Sequence, residues 1–404
     1  ASADLNSDGK LDLVAVSMSA DTVSVLLGNG NGSFQTSSAL SVSRSNFVEI
    51  ADFNSDGKLD LTVANSSANQ VSVLLGNGNG SFQLVQNVTV GSSPVSIATA
   101  DINGDGRRDL VVANENSNTL SVRLGLGDGT FQGASEIGVG TSPVSVAIAD
   151  LNGDGKLDLA AANYFDTKVS VLFGNGNGTF QAPSNITVGT NPSSVAIADL
   201  NGDGKLDVAV AGGAGYVSVL LSNGNGTFST PANVSVGLSF KTIAVADLDG
   251  DGKLDLAVTH GFDNNVSVLR GNGDGTFQAA SIFAVGADPS SITIGNFDGS
   301  GGLDLAVANN KGGNFSVLLN TSTNFSATQH AKMAVVGVND APTGSVAISG
   351  TASASDQALP RRRRRYSSAS LAAASSAAFL AISASLNTCN ASAISPISVF
   401  SPNF

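Results

Sequence analysis

The sequence predicts an all-β fold, a seven-bladed β-propeller of four-stranded blades, and three observations predict it. One motif recurs seven times at a step of 48 or 49 residues. A second, independent marker keeps the same step. The composition is that of short strands joined by tight turns: Val, Ser, Thr, Asn and Gly dominate, Trp is absent, and the helix formers Glu, Lys and Arg are scarce. A chain of 404 residues would ordinarily divide into about two or three domains, but a tandem array holds the same length in one.

The first marker opens a polar loop at Asp4, Asp52, Asp101, Asp150, Asp199, Asp247 and Asn296. The second is a phenylalanine at Phe34, Phe82, Phe131, Phe180, Phe228, Phe277 and Phe325. Within the fourth copy, apolar runs predict strands near residues 145–149, 157–162, 168–173 and 185–188. The GlyAsnGlyAsnGly run from Gly174 to Gly178 separates the third from the fourth, a hairpin turn of residues that tolerate positive φ. Val146 and Ile148 point to one side of the first strand, Ala147 and Ala149 to the other. A strand apolar on both faces suits a sheet clamped between two neighbouring sheets. The first copy has only Ala1–Ala3 ahead of its loop, so its innermost strand is expected to be missing. Ring closure is then expected to use upstream sequence in preference to Met333–Val338. The chain opens inside a repeat and without Met, which reads as the start of a fragment.

Each loop follows Asp-x-Asn/Asp-x-Asp-Gly-x-x-Asp. Oxygen-bearing side chains at the first, third, fifth and ninth positions of a curled loop converge on its centre. The seventh carbonyl adds an oxygen, and the sixth-position glycine permits the sharp turn. The candidate metal ligands are therefore Asp4, Asn6, Asp8, Lys10 and Asp12 in the first loop, and Asp52, Asn54, Asp56, Lys58 and Asp60 in the second. The third and fourth supply Asp101, Asn103, Asp105, Arg107 and Asp109, then Asp150, Asn152, Asp154, Lys156 and Asp158. The fifth and sixth supply Asp199, Asn201, Asp203, Lys205 and Asp207, then Asp247, Asp249, Asp251, Lys253 and Asp255. The seventh is poorer: Asn296, Asp298, Ser300, Gly302 and Asp304 include only two carboxylates. Such sets suit Ca²⁺, which takes about six to eight oxygens, and the expectation is about five to seven Ca²⁺ ions. An EF-hand is excluded, because the twelfth position of the fourth loop is Ala161, inside a strand. No set of His and Cys suits zinc.

The charge balance agrees. Residues 1–355 carry 31 Asp+Glu against 14 Lys+Arg, and 21 of those acids sit in the seven loops. Carboxylates pressed together are unfavourable without a cation. The same excess repels nucleic-acid phosphates, so no nucleic-acid partner is expected. The single cysteine, Cys389, allows no intrachain disulfide. No secretory signal is visible, and no run of roughly 20 apolar residues exists to span a membrane.

The AspLeuAsnGlyAspGlyLysLeuAspLeu loop at residues 150–159 and the GlyAsnGlyAsnGlyThrPhe turn at 174–180 resemble FG-GAP/VCBS repeats, the seven-bladed propeller type of integrin α-chains. The resemblance covers about residues 1–330, with an incomplete first copy and a degenerate seventh. It implies calcium between the first and second strands of each blade and an extracellular or cell-surface setting. It also implies adhesion to proteins or glycans; some fungal lectins are built similarly. Residues 338–351 resemble the start of a β-sandwich module that often follows such repeats in very large bacterial surface proteins. Residues 1–335 are therefore assigned to the propeller and 336–356 to a linker or the start of that module. Residues 357–404, with the run Arg361–Arg365, read as a low-complexity tail, disordered or out of frame.

In a propeller the metal loops and the turns between third and fourth strands share one face. The loops between second and third strands share the other with the blade-to-blade connections. The first set is nearly identical from copy to copy, whereas the second varies, as in a scaffold that presents a recognition surface. Blades four to six place Tyr164, Phe165, Tyr216, His260 and Phe262 there, beside Asp166 and Asp263. Aromatics beside carboxylates suit a sugar or an anchored protein side chain. Catalysis is not expected: His260 and His330 are the only histidines, Cys389 lies in the tail, and most Asp is committed to loops. The readings are a monomeric adhesion propeller, a purely structural calcium-stiffened module of a large surface protein, or an accessory domain of a secreted enzyme.

Overall fold

The computed structural model describes residues 1–332, apart from residues 19, 134, 214, 238–239 and 322–324. The β-sandwich start, the Arg361–Arg365 run, Cys389 and Met333–Val338 lie outside the described residues.

Seven small antiparallel sheets form the seven blades of a β-propeller. Blade four is representative. Its strands are Pro143–Ala149, Asp158–Asn163, Lys168–Leu172 and Ser184–Thr187, paired in that order from the centre outward. The second strand, AspLeuAlaAlaAlaAsn, is buried at every position, because both of its faces are covered. The core is accordingly a set of seams between blades. One seam joins Ala147, Val169 and Val171 of blade four to Val195, Val208 and Leu220 of blade five. Equivalent clusters join each other neighbouring pair. Buried serines reinforce three of these seams near the axis. The Val146 N–H donates to Ser96 Oγ (3.2 Å), Val195 N–H to Ser145 Oγ (3.1 Å) and Ile243 N–H to Ser194 Oγ (3.3 Å).

Blade one retains two residues of the innermost strand expected to be missing: Ser2 and Ala3 pair with Leu13 and Asp12. The ring closes directly, blade seven against blade one. Phe34 meets Phe297 and Phe315 edge-on at 5.8 and 5.5 Å, Gly32 N–H donates to the Phe297 carbonyl (2.8 Å), and Ser2 Oγ lies 2.8 Å from Thr293 Oγ1. His330 falls in the outer strand of blade seven, Phe325–Lys332, opposite Ser316.

Blade three carries an exception in its third strand. Arg123 stands where the other blades have Leu26, Leu74, Leu172, Leu220, Leu269 and Leu318. Its guanidinium reaches Glu136 (2.8 Å) and the Thr89 carbonyl of blade two (2.9 Å). Removing one partner of a buried pair strands the other, whereas an apolar replacement of similar shape is often neutral. Glu136 is partly exposed, which reduces the effect. Arg123→Ala is expected to cost about 1–3 kcal/mol in urea unfolding and Arg123→Leu less than about 1 kcal/mol. A cost for Arg123→Leu as large as that for Arg123→Ala would assign the whole loss to the guanidinium contacts and overturn the apolar-replacement expectation.

Candidate metal centre

Loop four shows how the repeat builds its site. Asp150 Oδ1 accepts from the N–H groups of Gly153 (2.7 Å) and Asp154 (3.2 Å), and its Oδ2 accepts from Gly155 (2.8 Å). Asn152 Oδ1 accepts from Asp154 N–H (2.9 Å), and Asp154 Oδ1 from Lys156 N–H (3.0 Å). These bonds curl the loop and turn the oxygens of its first, third and fifth positions inward. Gly155 holds φ at 80°, which a side chain resists. The pattern recurs in the other loops, for example at Asp52, Asn54 and Asp56 and at Asp199, Asn201 and Asp203.

The ninth position has a second task that the spacing did not reveal. Asp158 is fully buried. Its Oδ2 accepts from Leu151 N–H (2.9 Å) and its Oδ1 from Gly174 N–H (2.8 Å). It thereby ties the loop to the turn after the third strand of its own blade. Asp12, Asp60, Asp109, Asp207, Asp255 and Asp304 make the same pair of bonds. A Cβ on Gly174 would lie 2.1 Å from the Leu157 carbonyl, so this turn keeps glycine, whereas blades five and seven make the same bond through the N–H groups of Ser222 and Asn320. Burial pushes the Asp158 carboxyl up, opposed by its two backbone donors and reinforced by the charges of Asp150 and Asp154. The Lys156 N–H, first among several contacts, holds the exposed Asp154 below the usual carboxylate range.

The donor set fits a hard cation. In loop six, oxygens of Asp247, Asp249 and Asp255 lie within 4.8 Å of one another, and two oxygens bound to one Ca²⁺ are at most about 5.2 Å apart. Loops one to five have Asn where loop six has Asp249, so each offers one side-chain oxygen and one charge fewer at that position. The side chain of the seventh residue faces outward: Lys10, Lys58, Lys156, Lys205 and Lys253 each approach the fifth-position aspartate at 3.1–3.6 Å, leaving only the carbonyl for a metal. Loop seven is different. Asn296 has a buried Oδ1 without a partner, while Asp298 and Ser300 cap local N–H groups and Asp304 keeps its tie.

The residues expected on the opposite face separate into groups. Phe165 and Phe262 are 66 % and 70 % exposed, and Asp263 is exposed beside them. Tyr164 is half-buried on Val95 and Val144 and meets Phe165 edge-on at 5.2 Å. Asp166 is occupied locally, its Oδ2 accepting from Thr141 N–H (2.9 Å). Tyr216 is half-buried at the edge of a slot in blade five. His260 is not in the loop. It is the last residue of the second strand of blade six, 1 % exposed, with Nε2 at 2.8 Å from Ser267 Oγ. This Ser–His contact was missed in the sequence, although its spacing is visible there: Asn65–Ser72, Asn114–Ser121, Asn163–Ser170 and Asn309–Ser316 make the same contact in other blades. Sealed from solvent and equivalent to four amide–hydroxyl pairs, it is a structural staple and not an exposed nucleophile.

The model of the FG-GAP-like repeat matches residues 4–63, 52–112, 101–161, 150–210, 199–258 and 247–307. No curated protein matches the sequence. Among solved structures, an Agrocybe aegerita lectin that recognises non-reducing terminal N-acetylglucosamine is similar at 21 % identity, over 79 % of this chain and 89 % of the lectin, with a TM-score of 0.55. The periplasmic gluconolactonase of Pseudomonas aeruginosa is similar at 17 % identity, over 80 % of this chain and 95 % of its own, with a TM-score of 0.61. Hydrazine synthase of Kuenenia stuttgartiensis is similar at 17 % identity, over 77 % and 95 %, with a TM-score of 0.53. A lectin, a lactonase and a hydrazine synthase share this architecture, so the likeness carries the fold and not the activity.

Proposed function

The chain belongs to the FG-GAP-like repeat family, and on that premise we propose that it is a calcium-binding recognition propeller of the extracellular space or cell surface. Loops one to six hold Ca²⁺ on one face, loop seven holds it weakly or not at all, and the opposite face binds a glycan or protein ligand. The observation that carries the recognition reading is the exposure of Phe165 and Phe262 on the variable face, where two large rings gain nothing by facing water. The constant loops opposite suit a scaffold, and the excess of acids disfavours nucleic acid as a partner.

Glycan arrays and protein pulldown with the calcium-loaded chain test this. Phe165→Ala and Phe262→Ala are expected to weaken binding at least tenfold each, the usual size for an aromatic anchor, with the thermal midpoint unchanged. Binding that ignores both variants would move the ligand to another face. A chain that binds no glycan or protein leaves the purely structural module. A lactonase-type activity is not proposed, because the likeness to the gluconolactonase, at 17 % identity, carries the fold alone.

A further inference from the structure

In five of the metal loops one lysine holds the fifth-position carboxylate at both oxygens. Asp154 Oδ1 accepts from the Lys156 N–H (3.0 Å), and its Oδ2 faces the Lys156 ammonium at 3.5 Å. Asp8 with Lys10, Asp56 with Lys58, Asp203 with Lys205 and Asp251 with Lys253 repeat both contacts, at 2.9–3.0 Å and 3.1–3.6 Å. The ammonium is aimed by its stem, which lies on a glycine of the same blade's turn. At Gly30, Gly78, Gly176, Gly224 and Gly273 the lysine Cδ is 2.8–3.1 Å from where a Cβ would stand, so any other residue would push the lysine aside. In loop six the converging carboxylates are those of Asp247, Asp249 and Asp255; Asp251, which Lys253 holds, is not among them. To join them it has to exchange its ammonium for a metal.

Loop three is built differently. Asp105 Oδ1 accepts from the Arg107 N–H (3.0 Å), but its Oδ2 accepts from the neutral Asn103 Nδ2 (3.1 Å). The Arg107 guanidinium lies against Gly127 and has Asp128 of the turn as its electrostatic partner, while Arg108 has Glu49. Both charges are therefore answered away from the ligands. Resting on the calcium reading above, we infer that Lys10, Lys58, Lys156, Lys205 and Lys253 are resident counter-ions: each steadies its loop while calcium is absent, and calcium has to displace it. As exposed ion pairs they are individually weak. Their effect on a divalent ion is larger, because the ammonium stays tethered beside the site. An ammonium about 6 Å from Ca²⁺ in water weakens its binding roughly tenfold unscreened and about threefold at physiological salt. The lysine thus sets the calcium concentration at which its loop fills.

The test replaces all five lysines by methionine in the full chain, which keeps each stem on its glycine and removes the charge. Lys156→Met alone is the milder form, should the fivefold variant fail to fold without calcium. Two readouts are expected to move in opposite directions. The thermal midpoint in chelator falls, because each set of loop acids loses a tethered cation. Calcium titration calorimetry shows the affected sites tightened about three- to tenfold, with the difference from wild type narrowing in high salt. The converse change, Arg107→Lys, places an ammonium beside Asp105 and is expected to weaken one site by a similar factor. A lower chelated midpoint with calcium affinity unchanged would reduce the lysines to ordinary surface pairs and overturn the inference. Tighter calcium binding with the chelated midpoint unchanged would overturn the steadying role. A wild-type chain that takes up no calcium overturns the calcium reading itself, whereas uptake that the lysine variants leave unaltered overturns only the counter-ions.

Discussion

Saturating the chain with calcium is expected to raise its thermal midpoint on the order of 10–20 °C above the chelated state, whereas equimolar Mg²⁺ should not. A ligand that binds only the folded state adds about 2.7 kcal/mol per site at one hundred times its Kd. Extracellular calcium modules bind with Kd of about 10⁻⁴–10⁻³ M, so about 10 mM Ca²⁺ gives each site between half and all of that increment. Six well-formed loops therefore contribute roughly 8–16 kcal/mol, which exceeds any single side-chain effect in the molecule. The chelated chain has the opposite problem. Its loops hold 21 of the 31 acids of residues 1–355, and the paired lysines screen only one outer oxygen in each of five loops. Mg²⁺ demands near-octahedral geometry at shorter distances and sheds water reluctantly, so a wide curled loop discriminates against it. Differential scanning calorimetry across calcium concentrations measures the shift. A midpoint that does not move with Ca²⁺ would reduce the loops to polar turns, and the surface setting would lose its main physical support.

The period made the blades legible, because two markers in step fix where each strand can lie. The marker phenylalanines proved to be seam residues, Phe34 and Phe131 each meeting an aromatic of the preceding blade. The loop ligands were legible for the same reason. What period cannot convey is which N–H a carboxylate faces, so the double role of the ninth-position aspartates was hidden. The ends of the second strands were hidden as well. Asn163 and His260 look like loop residues because polar side chains favour turns, yet each is the buried last residue of a strand, held by a serine seven positions on. That misplacement put His260 on the recognition face.

Two aspartates of one loop should separate the cost of losing metal from the cost of losing the fold. Asp154 is exposed and bonds only within its loop, so Asp154→Ala in chelator should cost less than about 1 kcal/mol. In calcium it should forfeit the contribution of one site, about 1–3 kcal/mol. Asp158 is buried and holds Leu151 and Gly174 by two N–H bonds across the blade. Hydrogen bonds to a charged acceptor contribute about 1.5–3 kcal/mol each, and Asp158→Ala leaves both donors buried without a partner, so it should cost about 3–5 kcal/mol in chelator and, because it also removes a loop ligand, about 1–3 kcal/mol more in calcium. Asp158→Asn keeps one acceptor and turns an amide N–H₂ toward the other donor, so it should fall between the two alanine variants. Chemical unfolding of the three variants in chelator and in calcium gives all six values. If Asp158→Ala were as mild as Asp154→Ala in chelator, the ninth position would be a metal ligand and nothing more. If the costs divide as expected, each blade is fastened twice at the same corner: by a carboxylate that the chain satisfies itself, and by a cation drawn from outside. The first lets the propeller fold before calcium reaches it, and the second makes its stiffness depend on where it is.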